Sequence, residues 1–162
     1  MDFSRLQRYE LVGILSSALL VLSLFLPWFN LGGSEARRTQ QDAWICGTNE
    51  FDCTGWATFP ILRWLLVAAA AAPLILAYFV VTDEKGQYPT GEFTMTVGLA
   101  VIVLVAFNGL LNKPGTSIEE FGVSVSWGYF VALLAGVLMT GAGALRSLES
   151  GGGAGKKPPG TF

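Results

Sequence analysis

The chain has no histidine and only two cysteines among 162 residues, and charged residues make up just 14% of it. Without histidine, the commonest general base, the usual haem ligand of helical bundles and most zinc sites are excluded. Two thiols, Cys46 and Cys53, are too few for an iron–sulfur cluster or a four-thiolate metal centre. A disulfide is the simpler expectation for them, and no cofactor is expected. Basic residues are also scarce and scattered. Ten Lys and Arg face twelve Asp and Glu for a formal charge of -2, and no long basic run provides an electrostatic footprint for nucleic acid.

Apolar residues, by contrast, make up 52% of the chain, and they are segregated from the charges in a way soluble cores rarely are. Four runs stand out: Leu11 to Trp28, Phe59 to Val81, Phe93 to Leu111 and Val123 to Leu145. As helices, the first would be about 27 Å long and the second about 34 Å, enough for a hydrocarbon core roughly 30 Å thick. Pro73 sits inside the second run, where lipid-embedded helices tolerate a kink if neighbours satisfy the freed carbonyl. Trp127 and Tyr129 open the fourth as an interfacial belt. The expected fold is therefore an all-α membrane protein: a four-helix transmembrane bundle over residues 1–149, with an outer loop at 29–58 and a flexible, Gly- and Pro-rich tail at 150–162. The first run would serve as a cleaved signal peptide if Ser34-Glu35-Ala36 were a processing site. Its long apolar core and the bulky Pro27-Trp28-Phe29 favour a retained helix instead.

The positive-inside rule gives the orientation. With the N-terminus in the cytoplasm, Arg5, Arg8, Lys85, Arg146, Lys156 and Lys157 lie inside, Arg37, Arg38 and Lys113 lie outside, and Arg63 lies in a membrane segment. Both termini are then cytoplasmic, in a multi-pass protein of the cell membrane. The same choice puts Cys46 and Cys53 in the oxidising compartment, where a disulfide persists. Between residues 42 and 56 the cysteines bracket a Gly47-Thr48-Asn49 turn signal, which reads as a cross-linked β-hairpin cap.

Functional candidates are few. Trp44, Phe51 and Trp56 of the cap are of the aromatic kind enriched at binding hot spots. Arg63, four residues into the second run, either snorkels to the headgroups, pairs with Glu119 or Glu120 to lock the last outer loop over the bundle, or binds an anionic headgroup. Gly128, Ala132, Gly136, Thr140 and Ala144 recur every four residues, so they line one helix face where backbones approach closely. That face packs inside the bundle, against Ala68 to Ala72 or Gly98, or forms a seam with a second copy or another membrane protein. Asn108 is expected to hydrogen-bond between helices. The cysteine spacing is not Cys-x-x-Cys, and no histidine lowers a thiol pKa, which leaves redox catalysis as a remote reading.

Leu26-Pro27-Trp28-Phe29, Asn112-Lys113-Pro114-Gly115, Trp127-Gly128-Tyr129 and Gly141 with Arg146 give the chain a pattern that resembles small four-span membrane proteins of actinobacteria, which have no assigned activity. Its layout is also similar to claudin-type tetraspans, with Trp28 after the first helix and Trp44, Cys46 and Cys53 in the first outer loop. Ala43-Trp44-Ile45-Cys46 departs from the Gly-Leu-Trp element of that group, and the cysteines are closer together, so the likeness implies layout and not paracellular sealing. The expected role is a non-enzymatic scaffold or accessory subunit that binds a protein or lipid partner through the outer loop or the fourth helix. A small-solute or lipid carrier is the alternative.

Overall fold

Pro27 decides where the first helix stops. Proline has no N–H to continue a helical ladder and drives the residue before it toward extended backbone. Accordingly α1 (Arg8–Ser23) gives way to i→i+3 bonds from Leu24, Phe25 and Leu26, and then to a strand, β1 (Pro27–Leu31). The computed structural model describes residues 8–31, 52–82, 90–111 and 123–152. Within them follow β2 (Asp52–Thr54), a one-turn helix α2 (Gly55–Thr58), α3 (Leu62–Thr82), α4 (Thr90–Ala106) with a π-helical last turn (Phe107–Leu111), β3 (Val123–Val125) and α5 (Trp127–Gly152).

The expectation of an all-α chain needs correcting, because the three strands form an antiparallel sheet in the order β2-β1-β3. Phe29 pairs with Cys53 on one side and with Val125 on the other. Hydrophobicity alone assigned Pro27 and Trp28 to the first crossing and Val123 to Val125 to the fourth. The proline and the β-branched valines instead favour extended backbone. The expected hairpin around Gly47-Thr48-Asn49 lies outside the described residues. Where the first loop does form a strand, β2 pairs with β1 rather than with a neighbour across a tight turn. At the opposite end, α5 continues to Gly152, two residues beyond the expected start of the tail.

Among the described residues, three helical segments are long and apolar enough to cross a membrane: Leu62–Phe79, Gly91–Leu111 and Trp127–Glu149. α1, at 16 residues, is shorter, about 24 Å. The helices pack in a ring, α5 on α4 and on α1, α1 on α3, and α3 on α4. Their shared core includes Leu20, Leu66, Val101, Val105, Ala132, Ala135 and Met139. The outward faces are no less apolar. Leu15, Leu22, Val103, Leu110 and Phe130 are each at least 60% exposed, far more than a soluble monomer leaves to water.

Several serine and threonine hydroxyls on these helices find acceptors one turn back. Ser16 and Ser17 both donate to the Gly13 carbonyl, at 2.8 and 2.9 Å, Ser23 to Leu20 at 2.6 Å and Thr140 to Gly136 at 2.8 Å. Asn108 likewise donates to Leu104 of its own helix, at 2.9 Å. Such back-bonding keeps polar side chains tolerable where water is scarce.

The small-residue face of α5 lies against the chain itself. A Cβ on Gly136 would come within 2.9 Å of Ile102, one on Gly128 within 2.5 Å of the Pro27 carbonyl, and one on Gly98 of α4 within 2.5 Å of Thr140 Oγ1. Ala132 is fully buried, while Ala144 is half-buried. Gly136→Leu should therefore destabilise the protein in detergent through overpacking, by about 1 to 3 kcal/mol, read as a lower melting temperature, and leave the hydrodynamic size unchanged. A change in size at constant melting temperature would move this face to an intermolecular seam.

Candidate functional site

Around the sheet, the chain gathers its aromatic side chains. Trp28, which is fully buried, sits where the sheet meets the bundle. Its indole Nε1 donates to the Ser23 carbonyl at 2.8 Å, satisfying one of the acceptors left open at the end of α1. Its carbonyl accepts from Ser126 N–H at 2.7 Å, at the point where the β1 register shifts. Phe59 and Tyr129 pack on its ring at 6.2 and 6.1 Å between centroids, the latter edge-on. Gly55 lets α2 come up against the indole face, where a Cβ would stand 2.5 Å from Cε2, and Gly109 does the same for the Tyr129 ring. The π-helical turn supplies Gly109, and such turns recur at functional sites. Tyr129 Oη is buried and has no hydrogen-bond partner.

Outside this hub lies a second layer that faces outward. Thr54 caps α2 through its hydroxyl, which accepts from Ala57 N–H at 3.3 Å, and Trp56 N–H is held by the Leu24 carbonyl at 2.8 Å. This places the Trp56 ring against Phe25, stacked at 5.3 Å and 17°, and near Trp64 at 5.8 Å. The Arg63 guanidinium lies over both indoles, 5.1 Å from the Trp56 ring and 5.8 Å from that of Trp64. Cation–π contacts of this kind contribute about 0.5 to 2 kcal/mol, according to how far the cation is desolvated. Arg63 Nη1 donates to the Trp56 carbonyl at 3.3 Å, whereas Nε is buried with no partner among the described residues.

Of the residues singled out from sequence, Trp56 and Arg63 are thus brought together, with Phe25 and Trp64 as neighbours the sequence reading did not name. Trp44, Cys46, Phe51, Glu119 and Glu120 lie outside the described residues. Cys53 is fully buried on β2, opposite Phe29, and no free cysteine occurs among the described residues.

A third feature sits at the other end of the bundle. Glu10 of α1 and Arg146 of α5 form an ion pair at 3.4 Å, their side chains only 6% and 15% exposed. Tyr9 and Glu149 lie beside it. The pair borders a cleft of ≈ 20 Å³ that all four long helices line, through Gly13, Pro73 and the buried Thr94 among others, with room for about one water. Both charges flank apolar runs, so sequence order gave no hint that they meet. No family model, curated protein or solved structure matches the chain.

Proposed function

We propose that the chain is a multi-pass membrane protein with four crossings, both termini in the cytoplasm, that serves as a non-enzymatic scaffold or accessory subunit. The observation that carries this reading is the outward-facing Phe25-Trp56-Arg63-Trp64 surface, built on the buried Trp28 hub at one end of the bundle. Rigid aromatics beside a guanidinium are the composition of binding hot spots, and the sheet holds them to a fixed platform.

α1 belongs with the crossings on this reading. Its i→i+3 bonds extend the wound segment to Leu26, and Leu11, Leu15, Leu22 and Phe25 are exposed along it. On this reading the sheet end lies outside the cell membrane, which the charge asymmetry and the cysteines support. A Cys46–Cys53 disulfide would close the loop segment leading into β2 and stabilise it by roughly 2 to 3 kcal/mol. On the motifs quoted above, the chain groups with the small four-span membrane proteins of actinobacteria.

The test is residue-level cross-linking in native membranes, followed by mass spectrometry of the affinity-purified full chain. A scaffold gives cross-links from the sheet end to one stoichiometric neighbour, and replacing Phe25 and Trp64 with Ala removes them while the helical content persists. Solute movement by the purified chain alone in liposomes would make it a carrier and overturn the reading. In the same preparation Cys46→Ser should lower the melting temperature to the same extent as reduction does, with no further loss when both are combined.

A further inference from the structure

We infer that Arg63, framed by Trp56 and Trp64, grips the phosphate of a membrane phospholipid at the sheet end of α3. The inference rests on the membrane reading above and gives it a ligand class.

A guanidinium carries five N–H donors in one plane. Arg63 uses one of them, in a 3.3 Å bond to the Trp56 carbonyl, and its buried Nε has no acceptor among the described residues. Leaving a charged donor unbonded in a desolvated place is costly. The two indole rings lie against the cation, at 5.1 and 5.8 Å, and fix where its plane lies. They supply no further acceptor among the described residues, so it is the Nη donors, which unlike Nε are not enclosed, that an anionic oxygen pair can reach. Phosphate offers that geometry to arginine, which binds it through two parallel bonds.

The surroundings select a lipid over a soluble anion. Arg63 lies in the first turn of α3, a helix long enough to span a bilayer. Next to it, Ile61, Trp64 and Leu65 are 77%, 59% and 48% exposed, an apolar strip on which acyl chains can lie while the headgroup reaches the guanidinium. Tryptophan clusters at that depth mark the boundary between headgroup and hydrocarbon. A free phosphate would gain nothing from the strip.

The experiment is native mass spectrometry of the full chain, released from detergent in the presence of phosphatidylglycerol, of diacylglycerol with the same acyl chains, or of inorganic phosphate. Retention of phosphatidylglycerol should exceed that of diacylglycerol by about tenfold or more, the equivalent of one charge-assisted bond. Arg63→Gln should bring the two to parity, and Arg63→Lys should fall between, because the ammonium keeps the charge and loses the fork. Equal retention by the wild-type chain overturns the inference, as does a glutamine variant that keeps the preference. Displacement of the lipid by millimolar inorganic phosphate assigns the site to a soluble anion and overturns it as well. Should Arg63→Gln fail to fold, quenching of wild-type tryptophan emission decides. Phosphatidylglycerol with brominated chains should quench well beyond brominated diacylglycerol at equal membrane content, and equal quenching overturns the inference. A chain that inserts into bilayers without lipid preference removes this inference alone, whereas one that does not insert removes the membrane reading too.

Discussion

Trp28→Ala should lower the stability of the detergent-solubilised protein by about 3 to 5 kcal/mol, in the range expected when a large buried aromatic is emptied. The side chain is fully buried and touches the rings of Phe59 and Tyr129, so its removal leaves a void between sheet and bundle. Gly55 cannot fill that void, and a larger residue there would collide in the wild type. Trp28→Phe separates two contributions. It keeps most of the packing and removes the Nε1 bond, leaving the Ser23 carbonyl short of a partner at a cost of about 1 to 3 kcal/mol. Phe25→Ala is the control. It removes a stacked but 57% exposed ring and should cost less than either hub variant in detergent. Thermal unfolding followed by far-ultraviolet dichroism ranks the three. If Trp28→Ala melted alongside Phe25→Ala, the hub would carry no special share of the fold.

How much of this was visible in the sequence differs by element. Helices α3, α4 and α5 announce themselves through long apolar runs with at most one charge each, because nothing but a spanning helix satisfies so many backbone groups in lipid. The sheet did not, since its strands are three to five residues long and two of them sit at the ends of apolar runs, where hydropathy reads straight through them. Pro27 held the signal for β1: a proline between Leu26 and Trp28 argues against continued helix more strongly than hydropathy argues for it. For β3 the signal was Val123-Ser124-Val125, whose alternation fits a short strand.

The candidate site was half legible. Trp56 and Arg63 stood out by residue type. Their partners did not, because Phe25 reaches Trp56 only through the turn after α1, and Trp64 looks like any aromatic residue in a membrane run. Long-range charge pairing was the least readable feature. Glu10 and Arg146 are separated by nearly the whole chain, and each looked like an ordinary flank of a crossing.

That pair also gives an expected result that sequence reasoning would not have produced. Breaking a buried ion pair from one side leaves the surviving charge uncompensated, which typically costs about 3 to 5 kcal/mol. The two sides are not equivalent here. With Arg146→Met, the Glu10 carboxylate, 6% exposed, stays behind among the helices. After Glu10→Gln, the 15% exposed arginine can turn its long side chain toward the end of the bundle and recover water. Arg146→Met should therefore be the more damaging substitution, and the double variant should be more stable than Arg146→Met alone, because the buried side chain of residue 10 then carries no charge. A double-mutant cycle by thermal unfolding in detergent measures this. Strictly additive single effects would mean that the 3.4 Å approach carries no coupling, and that α1 is held to α5 by its apolar contacts. A coupling of about 1 kcal/mol or more, with the arginine side dominant, would make the pair the clasp that closes the end of the bundle opposite the sheet.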